Sequence, residues 1–165
     1  MISKISTKPI SQNMWKNKFR NRYFHWTKIW KSIVRDEKEP RLKTLNWKIL
    51  SNVYATKVFL HRVGKTENSI CETCNKTDYI EHFFFDCTKV HSIWIEISHL
   101  IYTKYDVRHM IEKSDVLFGY NEHENSKNIN KLISIAKLTI SKYKYGKYPD
   151  IISLLYTELR VRNIL

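Results

Sequence analysis

The sequence predicts a mainly α-helical domain stapled by one cluster of soft metal ligands, with room for a single short hairpin. Three observations carry this prediction. Glycine and proline number three each in 165 residues, so little interrupts helix formation. Apolar residues recur at intervals of three and four in several separate segments, the spacing of one helix face. All three cysteines, with one histidine, fall inside CETCNKTDYIEHFFFDC, residues 71 to 87. A chain of this length forms one domain with a modest core.

Taken in order, residues 1 to 13 read as a loose tail without the apolar stretch of a signal peptide. From Trp15 to Trp30, WKNKFRNRYFHWTKIW interleaves bases with aromatics and holds no acid. Phe19, Tyr23, Trp26 and Trp30 fall at helical spacing, so one reading is an amphipathic helix with its rings in the core. In the other, Lys and Arg neutralise phosphates while the rings stack on exposed bases. Both can hold.

Asp36, Glu37 and Glu39 precede Pro40, which opens a helix with Leu42, Leu45, Ile49 and Val53 on one face and a stop at Gly64. After Cys87, a second stripe joins Val90, Ile93, Trp94, Ile97 and Ile101. A third joins Ile129, Leu132, Ile133, Ala136 and Ile140. Between them, SDVLFGY reads as a short strand or turn ending at Gly119. A last helix starts at Asp150 and turns Ile151, Ile152, Leu155 and Leu159 inward. The predicted division is a basic, aromatic-rich leader over 1–36, a helical metal-binding core over 37–104 and a C-terminal helical segment over 105–165.

The formal net charge is +13, and it is unevenly placed. Residues 1–65 hold 16 of the 29 Lys/Arg and 3 of the 16 Asp/Glu, which leaves 13 of each for residues 66–165. All of the excess therefore lies in the first 65 residues. A solvated surface usually mixes its signs, so this polarity favours a polyanionic partner.

The cysteine cluster has the spacing Cys71-x2-Cys74-x7-His82-x4-Cys87. A two-residue gap lets both thiolates of a tight turn reach one ion, and zinc takes four such ligands tetrahedrally. His82 and Cys87 would stand about 140° apart on an ideal helix, so one straight helix cannot present both. A break near Asp86 is expected, with Cys87 at the start of the next helix, where the dipole lowers a thiol pKa. Four soft ligands without a carboxylate describe a closed structural site of net charge −1, made more acidic by Glu72, Asp78, Glu81 and Asp86. The metal thus holds the fold while the basic flank does the binding. His91 is a weaker substitute for His82.

Gly64, the two cysteines Cys71 and Cys74, HFFFDC over 82–87 and Trp94 together resemble the zinc-binding domain that follows the polymerase in LINE-type (non-LTR) retrotransposon reverse transcriptases. The resemblance covers roughly residues 25 to 160, with DVLFGY and INKLISIAKLTI similar to that family's C-terminal end. It implies zinc (Zn²⁺) ligation by Cys71, Cys74, His82 and Cys87, and a role in holding template RNA or target DNA. It implies no catalytic residue, since the chain lacks the paired-aspartate polymerase motif and any two adjacent aspartates. A truncated element remnant without independent activity is the expectation.

The function expected is a non-catalytic, zinc-stabilised module that holds RNA or DNA by backbone charge with little sequence preference. Lys16, Lys18, Arg20 and Arg22 would meet phosphates, with Trp15 and Tyr23 as stacking rings. The alternative is a zinc-stapled adapter docking on a reverse transcriptase core or another protein. An enzyme reading has only YPDIISLLYTELR, where Asp150 is more simply a helix N-cap. An odd cysteine count suits a reducing compartment, nucleus and cytoplasm, and no run of about eighteen apolar residues points to a membrane.

Overall fold

The computed structural model describes residues 10–165, and the first nine residues of the expected tail lie outside it. Eight α-helices are present among the described residues: α1 (Ile10–Lys18), α2 (Trp26–Trp30), α3 (Pro40–Leu50), α4 (Lys57–Arg62), α5 (His91–Tyr105), α6 (Lys113–Phe118), α7 (Ser126–Tyr145) and α8 (Ile151–Val161). A π-helical turn, Lys31–Arg35, continues α2, and a second one spans His82–Asp86. Among the described residues no sheet forms. The hairpin expectation reduces to one antiparallel bridge between Ile70 and Thr77.

The twenty-residue α7 is the axis of the core. Its stripe of Ile129, Leu132, Ile133, Ala136 and Ile140 is buried, and α3, α5 and α8 pack against it. The stripe of α5 is buried as read, from Val90 to Ile101, and so are Ile151, Leu155 and Leu159 of α8. Pro40 stands at the first position of α3, where its missing N–H costs nothing. Asp150 caps α8 by accepting from Ser153 N at 2.6 Å.

Three local readings need correction. Residues 10–13 belong to α1, with Ser11 and Gln12 buried, instead of extending a tail. The apolar period from Leu42 to Val53 does not make one helix up to Gly64. Asn52 enters the left-handed region at φ 56°, Val53 is left exposed, and Thr56 restarts the chain as N-cap of α4, accepting from Phe59 N. Asn tolerates that conformation better than other non-glycine residues. SDVLFGY is neither strand nor plain turn but the helix α6. A reciprocal capping box between Glu112 and Asp115 nucleates it, and Gly119 ends it at φ 80°. A Cβ at Gly119 would lie 2.6 Å from Ile33 Cγ2, so the position admits only glycine.

The aromatic segment Trp15–Trp30 is also not one helix. It leaves α1 after Lys18 and re-enters helix at Trp26. Trp15, Phe19, Phe24 and Trp26 converge on the ring of Phe118, with centroids 5.6, 5.2, 4.9 and 6.2 Å away. Trp15 is fully buried and donates its indole N–H to Leu50 O at 2.9 Å. From Ser11 onward the segment read as a leader is therefore built into the same core. No described helix is long and apolar enough to cross a membrane.

Candidate metal centre

The two ends of the cysteine cluster are placed by different local devices. Cys71 and Cys74 sit on a tight turn closed by Cys71 N–H to Lys76 O and Asn75 N–H to Cys71 O, both 2.8 Å. Asn75 takes the left-handed conformation at φ 52°, and the Ile70–Thr77 bridge fixes the base of the turn. His82 begins the second π-helical turn, where Cys87 N–H reaches back to His82 O at 3.0 Å. This i→i+5 bond brings the ends of H-x4-C together, as an i→i+4 helix cannot. Cys87 then leaves the helix with φ −70°, ψ 129° and starts a 3₁₀ turn, Thr88–Val90, ahead of α5. The break expected after Asp86 is present, made by a wide turn.

These devices gather one donor atom from each of Cys71, Cys74, His82 and Cys87 within 4.8 Å of one another. The Cys87 sulfur lies 3.7 Å from that of Cys74 and 4.0 Å from that of Cys71. Sulfurs on a tetrahedron with Zn–S of about 2.3 Å stand about 3.8 Å apart, so the spacing suits such an ion. His82 Nε2 is buried and has no hydrogen-bond partner, the state of a nitrogen reserved for a metal. Burial pushes His82 below its usual pKa, against the pull of Asp78, so the imidazole is neutral as a ligand must be. His91 is exposed at the start of α5, outside the group.

The thiols are not equivalent. A hydrogen bond with the Thr88 hydroxyl, 3.4 Å away, is the first cause that brings Cys74 down to about 7. Burial pushes Cys87 up to about 11, the reverse of the helix-dipole expectation. The 3₁₀ turn after Cys87 has three residues and offers little dipole, whereas the sulfur is fully buried. Cys87 thus becomes a thiolate only when it coordinates.

Around the donors lies an aromatic shell. Phe83 and Phe84 are buried and meet Tyr54 at 5.2 and 4.8 Å, and Phe83 stacks on Tyr145 at 5.6 Å. Trp94, seven residues past Cys87, donates its indole N–H to Phe84 O at 2.8 Å. That bond ties the second π turn to α5 and gives the trailing tryptophan its purpose. Residues 4–94 match the family described as zinc-binding in reverse transcriptase, more than half of the chain. The chain belongs to this family. The zinc-binding domain of reverse transcriptase is an accessory domain, not a catalytic one. The match begins inside the basic segment, earlier than the resemblance seen from residue 25, and it ends at Trp94. No curated protein matches the chain.

The residues expected to bind nucleic acid fare unevenly. Lys16 and Lys18 are exposed on the last turn of α1, and Arg20 and Arg22 are exposed on the connection that follows. Lys18, however, is already engaged by Glu81 at 2.6 Å and lies over the Tyr79 ring at 4.5 Å. Trp15 is withdrawn as a stacking residue, because a ring with no exposed surface has none to offer a base. Tyr23 is 84 % exposed and retains that possibility. Sequence reasoning missed Glu81 and Thr88 as partners of the basic segment and the thiols. Glu158, the acid of YPDIISLLYTELR that follows Asp150, is held by Lys142 at 2.6 Å and Arg162 at 2.8 Å.

Proposed function

We propose that this chain is a zinc-stabilised nucleic-acid-binding module of the kind that accompanies a LINE-type reverse transcriptase, and that it holds RNA or DNA by backbone charge. The ion is Zn²⁺, bound by Cys71, Cys74, His82 and Cys87 in a closed shell that serves the fold and leaves no position for a reacting water. The observation that carries the reading is the placement of charge. The whole excess of +13 lies in residues 1–65, and Lys16, Arg20 and Arg22 are exposed there, none of them in an ion pair among the described residues. Nucleus and cytoplasm, with their reduced thiols, are the compartments this site suits.

The deciding experiment is a salt titration of RNA and single-stranded DNA binding. Neutralising Lys16, Lys18, Arg20 and Arg22 together lowers affinity and flattens the slope of log affinity against log salt by up to ~4. Neutralising Lys76 and Lys89, beside the metal turn, has the smaller effect. The reverse order would make the metal knuckle the contact surface. A second reading, an adapter docking on a polymerase core, draws on Ile95 and Tyr102, exposed on α5. Such an apolar contact would change little with salt.

A further inference from the structure

The connection between α1 and α2 sorts its aromatic rings by direction. Phe24 points inward, stacked on Trp26 at 4.9 Å and 10° and edge-on to Phe118. Tyr23, its neighbour, points outward, and among the described residues its ring partner is His25, edge-on at 5.4 Å and also exposed. The connection is anchored by buried Phe24 and by Arg22 N–H to Phe19 O at 3.0 Å, so the exposed ring stands on a fixed base. Arg20, Arg22 and Tyr23 line an open groove of about 620 Å³ together with Lys113 and one carboxylate, Glu112. Lys113 is committed to Asp86 at 2.7 Å, and Lys18 in the same groove to Glu81. Among the described residues, the groove's cations outside any ion pair are the two arginines, Arg22 also lying over the Phe118 ring at 5.8 Å.

We infer that this groove takes a single strand, with one unpaired base on the Tyr23 ring and its flanking phosphates on Arg20 and Arg22. The inference rests on the nucleic-acid reading above and narrows it. A duplex keeps its base faces stacked inside and presents phosphates to the groove, so an outward aromatic ring adds nothing to its binding. A single strand of RNA or DNA offers a free π-face within the reach of both guanidiniums.

The test uses the zinc-loaded chain with a 12-nucleotide oligouridine, the matching oligo-dT and a 12-base-pair duplex at one salt concentration. Tyr23→Ala is expected to lose about tenfold in affinity for the single strands and less than twofold for the duplex, and Tyr23→Phe to restore single-strand binding. Tyr23 is exposed enough that neither variant disturbs the core. Arg20→Ala with Arg22→Ala weakens all three ligands. The two single strands report separately whether RNA or DNA supplies the base. Equal losses for single strand and duplex in Tyr23→Ala, or no loss in either, would overturn the inference while leaving the charge reading standing. Failure of the wild-type chain to bind any of the three would overturn both.

Discussion

Arg162, at the end of α8, closes a forked ion pair on Glu39, the N-cap residue of α3. Its Nε lies 3.1 Å from Glu39 Oε1 and 2.9 Å from Oε2, and one terminal nitrogen lies 2.5 Å from Oε1. The other terminal nitrogen reaches Glu158 at 2.8 Å, and Lys131 adds a second cation to Glu39 at 3.2 Å. The start of α3 and the end of α8 are thereby clasped together, with Lys131 of α7 joining them.

Arg162→Ala should therefore cost about 1–2 kcal/mol, less than a fully buried pair because Glu39 is still a quarter exposed. The Arg162 hydrogen bond holds Glu39 below its ordinary 4.5, and Glu158 is also low because Lys142 and Arg162 overcome the upward push of its burial. For carboxyls lowered in the native state, the contribution is full above the unfolded value near 4.5 and is lost as pH falls through the native values. Both proteins shed metal in acid, so the quantity to follow is the difference in melting temperature between them. That difference should hold from pH 7 to about 5 and shrink as pH falls below 4.5. A gap that stays constant would refute the assignment.

Cys74→Ser should reduce bound zinc from one ion per chain to none by elemental analysis, with a clear fall in melting temperature. Structural zinc is worth roughly 10–16 kcal/mol in small peptides, comparable to a whole domain's stability. Here the turn that carries Cys71 and Cys74 is held by one β-bridge, a few backbone bonds and the exposed pair of Lys57 with Glu72, so the metal is its main fastening. A well-folded wild-type protein without metal, or a Cys74→Ser protein as stable as wild type, would sink this.

How much of this could be read beforehand depended on whether the cause was local. The four donors and the break before Cys87 follow from spacing and helix angle, and both are in the structure. The π turn that makes the break was not legible, because it depends on Phe83 and Phe84 being drawn in among Tyr54, Tyr145 and Trp94. Trp15 and Tyr23 looked alike in sequence, each beside one base, Lys16 and Arg22. What sends one inward and the other out is Phe118, far along the chain, which gathers four rings and leaves Tyr23 aside. The break between α3 and α4 did carry a local signal in Asn52 and Thr56, which the apolar period of the segment obscured.

Lys137 offers a test within the core. It is 1 % exposed on α7, and burial alone pushes its ammonium down to about 7. The unfolded chain, with a lysine near 10.5, then binds more protons than the native one between those two values, so stability rises with pH across that range. Lys137→Met keeps the length of the side chain and removes that slope. It should stabilise the protein by about 1–4 kcal/mol at pH 7, with the advantage narrowing toward pH 10. Urea denaturation at pH 7 and 9.5 with zinc held constant measures both. A Met variant less stable than wild type at pH 7 would show that the ammonium has a partner worth more than its desolvation.

The pair between Lys18 and Glu81 joins the basic segment to the metal turn, since Glu81 immediately precedes His82. While it stands, one of the four proposed phosphate contacts is neutralised within the chain. Glu81→Gln releases that cation and removes an acid beside the groove. On the charge reading, affinity for RNA or single-stranded DNA should rise several-fold at low salt, and the slope of log affinity against log salt should steepen by about 1. Exposed pairs contribute about 0–1 kcal/mol, so melting temperature should hardly move and bound zinc should stay at one per chain. A Glu81→Gln protein that keeps its metal yet binds with unchanged affinity and slope would mean that Lys18 never faces a phosphate, and the contact surface would then have to be sought on Lys16, Arg20 and Arg22 alone.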